Sequence, residues 1–565
     1  MITTTPVYTI ENECQDCYKC VRHCHCKAIR IVHGKASVIP ENCVSCGECV
    51  KVCPSHAKKI RRDLPRLQQL LGTNAKLYAS IAPSFTAYFP GTTIGQLATA
   101  LKKLGFAGVA ETAIGAQAVS HQTAEFLKKT DLGLAISSAC PACVDYIRKY
   151  LPQYTENITP LYSPILAHCR ILKEQFGEDA KVIFIGPCAA KKNEADRNPD
   201  ILSLAITFAV LEELLDENGI VPAALEESPL ITESAEEGRF YAIEGGMNDT
   251  LRDENVDVRY ISVSGLDNLD RILRSYNGTR GKRKLFLEAL ACPGGCINGP
   301  VIPAGFAGSL DVIAETDKIS TMEPSSKRNV TGSFVGNFKA EPLPENRHSE
   351  RELTIALTKV GKYSQEDELN CGACGYSTCR EFAAALLSQK AEAAMCHTYL
   401  RKNFERTSSA LIRFIPAAVV MVDENLEICE CNRNFAAMSE MTEVYDTIGN
   451  LNSIPIDSTL PGFSDLFASV ISNGGEIEKF NQKFNDKIVN ISVFSIARGK
   501  SAGAVIQDIT KNELQREQIA EKAREVIRKN VLTVQQVARL FGEHVADTEI
   551  LLNEIAGTYE RRGGK

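Results

Sequence analysis

Apolar positions fall into contrasting textures along the chain. From about residue 70 to 315, short apolar runs alternate with stretches of helical periodicity. Lys76–Ile81, Leu132–Ile136 and Lys181–Ile185 each read as a strand leading into a helix. Residues 410–510 repeat the theme on a smaller scale. There a strand over Ile415–Val422 meets the turn Asp423-Glu424-Asn425, a second leads through Cys431-Asn432-Arg433-Asn434-Phe435 into a helix, and two more lie near 486–497 and 501–508. Residues 316–350 are polar, carry Pro324, Pro342 and Pro344, and read as a covering loop or linker.

The last segment has a third texture. Positions 520, 527, 534, 541, 548 and 555 are Ala, Ile, Val, Phe, Thr and Ile, and 523, 537 and 551 add Ala, Val and Leu, with Asn530 and His544 as breaks. A seven-residue step predicts a helix that dimerises or docks on a partner, the alternative being packing against its own neighbouring domain. The expected organisation is a cysteine-rich head (1–62), a central α/β domain (63–350), a cysteine-rich module (351–402), a small α/β domain (403–512) and a terminal helix (513–565).

The length of 565 residues fits several cores at roughly 150 residues per domain. A net charge of −7 carries no basic footprint for nucleic acid. The first residues lack a signal-peptide pattern, and no apolar run approaches the ~18 residues needed to span a bilayer, so a cytoplasmic location without membrane contact is expected. That compartment keeps thiols reduced, so the 21 cysteines point to metal rather than disulfides.

In the head, Cys14, Cys17, Cys20 and Cys24 are followed by Cys43, Cys46, Cys49 and Cys53, the last before Pro54. This is the spacing of two-cluster bacterial ferredoxins, in which the fourth cysteine of each run serves the other cluster. One 4Fe-4S centre is expected on Cys14, Cys17, Cys20 and Cys53, and a second on Cys43, Cys46, Cys49 and Cys24, zinc being the alternative. Cys26 falls outside the pattern. Further on, Cys371, Cys374 and Cys379 with Cys396 resemble a small four-cysteine Fe-S domain, for which a further 4Fe-4S cluster is expected and zinc is again the alternative.

The central domain carries Ser137-Ser138-Ala139-Cys140-Pro141-Ala142-Cys143, Gly186-Pro187-Cys188-Ala189-Ala190-Lys191-Lys192-Asn193-Glu194 and Cys292-Pro293-Gly294-Gly295-Cys296. Over roughly 70–310 it resembles the catalytic domain of FeFe-hydrogenases, whose three signature segments occur here in order. The resemblance implies an α+β multidomain chain with a two-lobed α/β domain holding an H-cluster. That cofactor is a 4Fe-4S cube on Cys140, Cys188, Cys292 and Cys296, joined to a diiron unit with CO, cyanide and azadithiolate. It implies that Lys191 pairs with one cyanide and that Ala82-Pro83-Ser84 line the other. Diiron-site maturases are implied with it.

The departures are informative. Where the family has a second, proton-relaying cysteine this chain has Ala139, and a methyl group neither donates nor accepts a proton. Gly186 and Leu290 replace methionines, Ile165 a glutamine and Cys143 a tryptophan. Glu125 is the only acid near the family's upstream relay, and Glu194 matches the downstream one. Cys143, Cys169 or Glu194 are candidates for another proton route, the two cysteines having buried packing as the plainer reading.

Residues 411–510, ending in Asp508-Ile509-Thr510, resemble a PAS sensor domain, and no kinase or phosphatase nucleotide motif follows. Cys429 and Cys431 are candidates to face one pocket. The expected function is a sensory FeFe-hydrogenase, an oxidoreductase that slowly interconverts H2 with protons and electrons and reports through the PAS domain to a kinase, phosphatase or other regulator, as a homodimer. The alternatives are a catalytic hydrogenase exchanging electrons with ferredoxin and an Fe-S assembly protein lacking the diiron unit.

Overall fold

The computed structural model describes residues 5–233, 235–252, 257–278, 283–303, 334–344, 348–485, 487–510 and 522–530. Most of the polar stretch expected over 316–350, and most of the terminal helix expected over 513–565, lie outside the described residues. The chain divides into two compact units, Met1–Met395 and Cys396–Lys565.

Two parallel sheets build the central domain. The first has the order Gly108–Glu111, Leu77–Ile81, Lys181–Gly186, Leu204–Thr207, all parallel. The second has Val258–Ser264, Lys284–Leu290 and Leu134–Ile136. Every residue of Leu77–Ile81 is buried, because helices cover both faces of such sheets. The strands expected from Lys76 and Leu132 start at Leu77 and Leu134, and the one expected from Lys181 starts there and runs one residue further, to Gly186. Within each sheet parallel pairing sends the carboxyl ends the same way, Ile81 with Gly186 in the first and Ile136 with Leu290 in the second, and such ends are where open α/β sheets present ligand-binding loops.

The head pairs Val7–Thr9 with Lys58–Ile60 and folds Ile29–Val32 back on Lys35–Val38. Its two four-residue helices, Lys19–Arg22 and Glu48–Lys51, pack on each other. Hydrogen bonds tie the head to the central domain: Lys51 Nζ to Asn298 O (3.2 Å), Asn193 Nδ2 to Ser45 Oγ (2.9 Å), and His25 Nδ1 with Asp267 Oδ1 (2.5 Å). The small module, with helices Glu350–Lys359 and Cys379–Leu387, docks on the head's first run. Lys27 Nζ donates to Gly375 O (2.7 Å) and the His33 N–H to Glu392 Oε1 (2.6 Å). Gly375 has φ +92°, and a Cβ there would stand 2.9 Å from Val21 Cγ1, so backbone meets side chain with no room for a side chain between them.

In the second unit, five antiparallel strands stand in the order second, first, fifth, fourth, third, with helices inserted between the second and third. Helix His397–Phe414 precedes them, and the expected domain border at 402 falls inside it. Val526 packs against the cluster of Ile412, Ile415, Ala417 and Val419, so the helical piece 522–530 meets its own domain. The pairing of Cys429 with Cys431 on one face does not hold. Met421 faces Glu430 and Val422 faces Ile428, which leaves Cys429 as the extra residue of a β-bulge. Cys429 is exposed and Cys431 buried. No helix among the described residues is long and apolar enough to cross a membrane.

Candidate functional site

The strand ends deliver Cys140, Cys188, Cys292 and Cys296 to one crevice. Cys140 caps helix Pro141–Tyr150, whose proline at the first position suits an abrupt turn from strand to helix. Cys188 follows the strand Lys181–Gly186 directly, and Cys292 follows Lys284–Leu290. The loop to Cys296 turns on Gly294 and Gly295. Gly295 has φ +108° and pairs with Ile243, and a Cβ there would lie 2.5 Å from Ala242 O.

The four residues are partly open to the crevice, yet protein surrounds each thiol deeply. Burial pushes Cys188 up to about 11 and Cys296 up to about 12, and raises Cys292 well above the usual thiol range. Cys140 is the exception. A hydrogen bond from the Cys143 thiol, helped by the backbone N–H groups of Cys143 and Ala291, brings it down to about 6. Neutral thiols forced together in a dry place are a poor resting arrangement, whereas thiolates bound to a metal cluster satisfy it.

Lys191, at the start of helix Ala190–Arg197, is buried, and its Nζ donates to Ser163 Oγ (3.0 Å) and Glu194 Oε2 (2.8 Å). Pro83 and Ser84 lie in the turn Pro83–Ala87, which packs on the turn Cys296–Asn298. Ser84 is fully buried, and its hydroxyl has no partner among the described residues. A buried hydroxyl without a partner costs about 1–3 kcal/mol unless something else meets it. Clustered thiols, a held ammonium and this spare hydroxyl fit the anionic cofactor that the resemblance implies.

Ala139 itself has no group that can move a proton. Its N–H donates to Ser137 Oγ (3.2 Å), which donates onward to Met247 Sδ (3.1 Å). Cys169 is fully buried and desolvation raises its thiol, and Glu194 is held by Lys191. Glu125 lies on the surface, paired with Lys128 and Lys129, away from the crevice. The sequence reading missed Glu288. This buried carboxyl accepts from the Met247 N–H (3.3 Å) and from Ser262 Oγ (3.2 Å), which in turn accepts from Asn248 Nδ2 (2.7 Å). Desolvation pushes Glu288 up to about 7, and it lies close enough to act electrostatically on Cys296. An acid inside the apolar strand Lys284–Leu290 was the available signal.

The cysteines of the head gather at two places. Cys14, Cys17, Cys20 and Cys53 line one small cavity. Cys24, Cys43, Cys46 and Cys49 act on one another electrostatically at a second place. Cys46 and Cys292 line a common cavity of about 250 Å³ between the head and the strand ends. Of the module's cysteines, Cys374 acts on Tyr376 together with Cys24, Cys379 opens helix Cys379–Leu387 and Cys371 is exposed. Cys396 caps helix His397–Phe414 in the second unit. Among the described residues no three His, Cys, Asp or Glu side chains converge to hold a single metal ion.

Residues 75–300 match the model of the iron only hydrogenase large subunit, C-terminal domain. Residues 36–59 match a 4Fe-4S binding domain and 367–397 an Fe-S cluster domain. The central domain is thus FeFe-hydrogenase-like, with Fe-S domains on either side of it in sequence. The NADP-reducing hydrogenase subunit HndD of Solidesulfovibrio fructosivorans is 24% identical over 383 residues, 54% of this chain and 64% of that protein. Iron hydrogenase 1 of Clostridium pasteurianum is 25% identical over 299 residues, 43% and 52% of the two chains. The chain therefore spans less than two thirds of the length of these relatives. A solved FeFe-hydrogenase from Chlamydomonas reinhardtii is 20% identical, with 52% of this chain and 95% of that one covered and a TM-score of 0.34.

Proposed function

We propose that the chain is a sensory FeFe-hydrogenase that binds H2, interconverts it slowly with protons and electrons, and passes the redox state to a downstream regulator. The observation that supports the reading is a crevice that gathers four thiols near the buried Lys191 and Ser84, with Ala139 where a proton relay is expected. When bound, the H-cluster would supply the metal that splits H2 and the amine that accepts its proton. Cys140, Cys188, Cys292 and Cys296 would hold the cube, Lys191 and Ser84 would donate to its anionic ligands, and Pro83 would shape the wall beside them. Glu194 and Ser163 fix the Lys191 ammonium, so its charge faces the site at no reorganisation cost. Ala139 passes no proton, which removes a contribution of about 10² to 10⁴ in rate. Glu288 holds a proton near neutral pH and leads by Ser262 toward the half-exposed side of its sheet, a slower route than a thiol at the metal.

Electrons leaving the crevice would cross beside Cys46 into the head clusters, and ferredoxin is the partner class for their exit. The PAS-like strand order of the second unit supports a signalling output. An infrared spectrum of the matured protein tests the reading: CO and cyanide bands with slow H2 turnover are expected. Bands with fast turnover would leave a catalytic hydrogenase, and no bands in a chain with full cube iron would leave an Fe-S assembly protein.

A further inference from the structure

Lys58 opens the strand Lys58–Ile60 with its side chain inward, where alternation calls for an apolar residue, and it is 2% exposed. Its Nζ donates to Thr9 Oγ1 (2.5 Å) and Ala36 O (3.3 Å), both neutral. No carboxylate among the described residues pairs with it. Lys192, as deeply buried, shows the usual solution: its Nζ reaches Asp63 Oδ2 at 2.9 Å. A buried ammonium without an anion costs several kcal/mol, so Lys58 needs negative charge from elsewhere.

The surroundings of Lys58 supply it. Lys58 lines the cavity of Cys14, Cys17, Cys20 and Cys53, and its backbone N–H bonds to the Cys53 sulfur. It also acts electrostatically on Cys43 and Cys49, which belong to the other set. The ammonium thus lies within electrostatic reach of both ligand groups. Other cations touch only one of them: Lys35 Nζ donates to Cys14 O (2.6 Å) and Lys149 Nζ to Cys43 O (2.9 Å).

We propose that Lys58 is a buried countercharge shared by the two cluster sites of the head, holding both at raised and closely matched reduction potentials. This rests on the reading of the head as a holder of two 4Fe-4S clusters. A cluster with its four thiolates is an anion, and one-electron reduction adds one negative charge. An ammonium beside it in a dry interior stabilises the reduced form more than the oxidised one. In the sensory reading the electrons come from H2, oxidised to two protons and two electrons. Lys58 would then set how much H2 is needed before the head fills.

The test is an EPR-monitored redox titration of the full chain with its clusters in place. In Lys58→Met, the reduced-to-oxidised ratio of both head clusters at a fixed poise should fall about tenfold, equivalent to about 59 mV for one electron. Lys58→Arg should stay within about twofold of the parent, and Thr9→Val, which removes only a hydrogen bond, should not move. Unchanged potentials in a fully loaded Lys58→Met protein would overturn the proposal, as would a shift in one cluster alone. Lys58→Gln serves if the methionine variant loads poorly, and if neither assembles clusters the lysine is structural and the proposal falls. Iron and sulfide counts on the parent separate the failures: head clusters that never form defeat the reading of the head, whereas clusters present but unmoved defeat only Lys58.

Discussion

The head and the strand-end crevice both gather cysteines, by opposite means. In the head, the cysteines come from two runs in which each lies within a few residues of the next, and helices Lys19–Arg22 and Glu48–Lys51 shape the loops. In the crevice, Cys140, Cys188, Cys292 and Cys296 come from segments far apart, joined by the carboxyl ends of two parallel sheets. The charges differ too. Among the described residues Lys58 in the head has only neutral partners, while Lys191 at the crevice is held by Glu194 and Ser163. The head carries an added group, and the crevice lacks one at Ala139. A local motif survives with little fold around it, whereas the crevice exists only while both sheets hold their register.

The sharpest break in that comparison is to restore the missing group. Ala139→Cys should raise H2 turnover by about 10² to 10⁴ if a relay thiol is all the crevice lacks. Rates are compared at equal cofactor occupancy, read from the CO and cyanide bands. An unchanged rate at equal occupancy would show that something other than residue 139 is limiting, with the buried Ile165 and Gly186, where the Phe184 ring fills the place of a side chain, as the next suspects.

The same contrast explains what could be read from sequence. The two groupings of head cysteines were legible because their spacing is local, and the strand ends because Ile136, Ile185 and the Gly-Gly loop mark where the chain turns. Partners across the fold were not. Asp63 with Lys192, and Glu288 with Ser262, join residues 129 and 26 positions apart, and nothing in either segment points to the other. The bulge at Cys429 was hidden for a related reason: a one-residue shift in register leaves no mark on the strand that carries it. Lys58 did leave a mark, a charge at an inward strand position, yet alternation over three residues is too short to weigh.

Asp63 stands where the head joins the central domain, its carboxylate shared by Lys192, Arg61 and Arg66. Burial raises the Asp63 pKa, and Lys192 and Arg61 more than reverse it, leaving it below the usual range. Asp63→Ala should destabilise the first unit by about 3–5 kcal/mol, because it strands the Lys192 ammonium. Pairing it with Lys192→Met should recover most of that loss, since the stranded charge goes too. Calorimetric midpoints of the single and double variants decide the matter: equal losses would mean that the pair matters through packing rather than charge. Lys58→Met is the contrast, with no carboxylate left unpaired and a small change expected.

The smallest of these effects concerns Glu288, where pH sets the sign. Its pKa in the folded chain is about 7 against an ordinary 4.5. Between those values the folded state holds a proton that the unfolded state has lost. Stability from this group is therefore complete below about pH 4.5 and lost as pH rises to 7, after which it is flat. The shift corresponds to something on the order of 3 kcal/mol across the window. Glu288→Gln, neutral at every pH, should flatten this part of the curve and leave the variant more stable than its parent at pH 8. In the chain without its diiron unit, a carboxylic-acid infrared band titrating near 7, and missing from the variant, would mark the same proton directly. A band that titrates near 4.5 would place water beside Glu288 and end its use as a proton store at neutral pH.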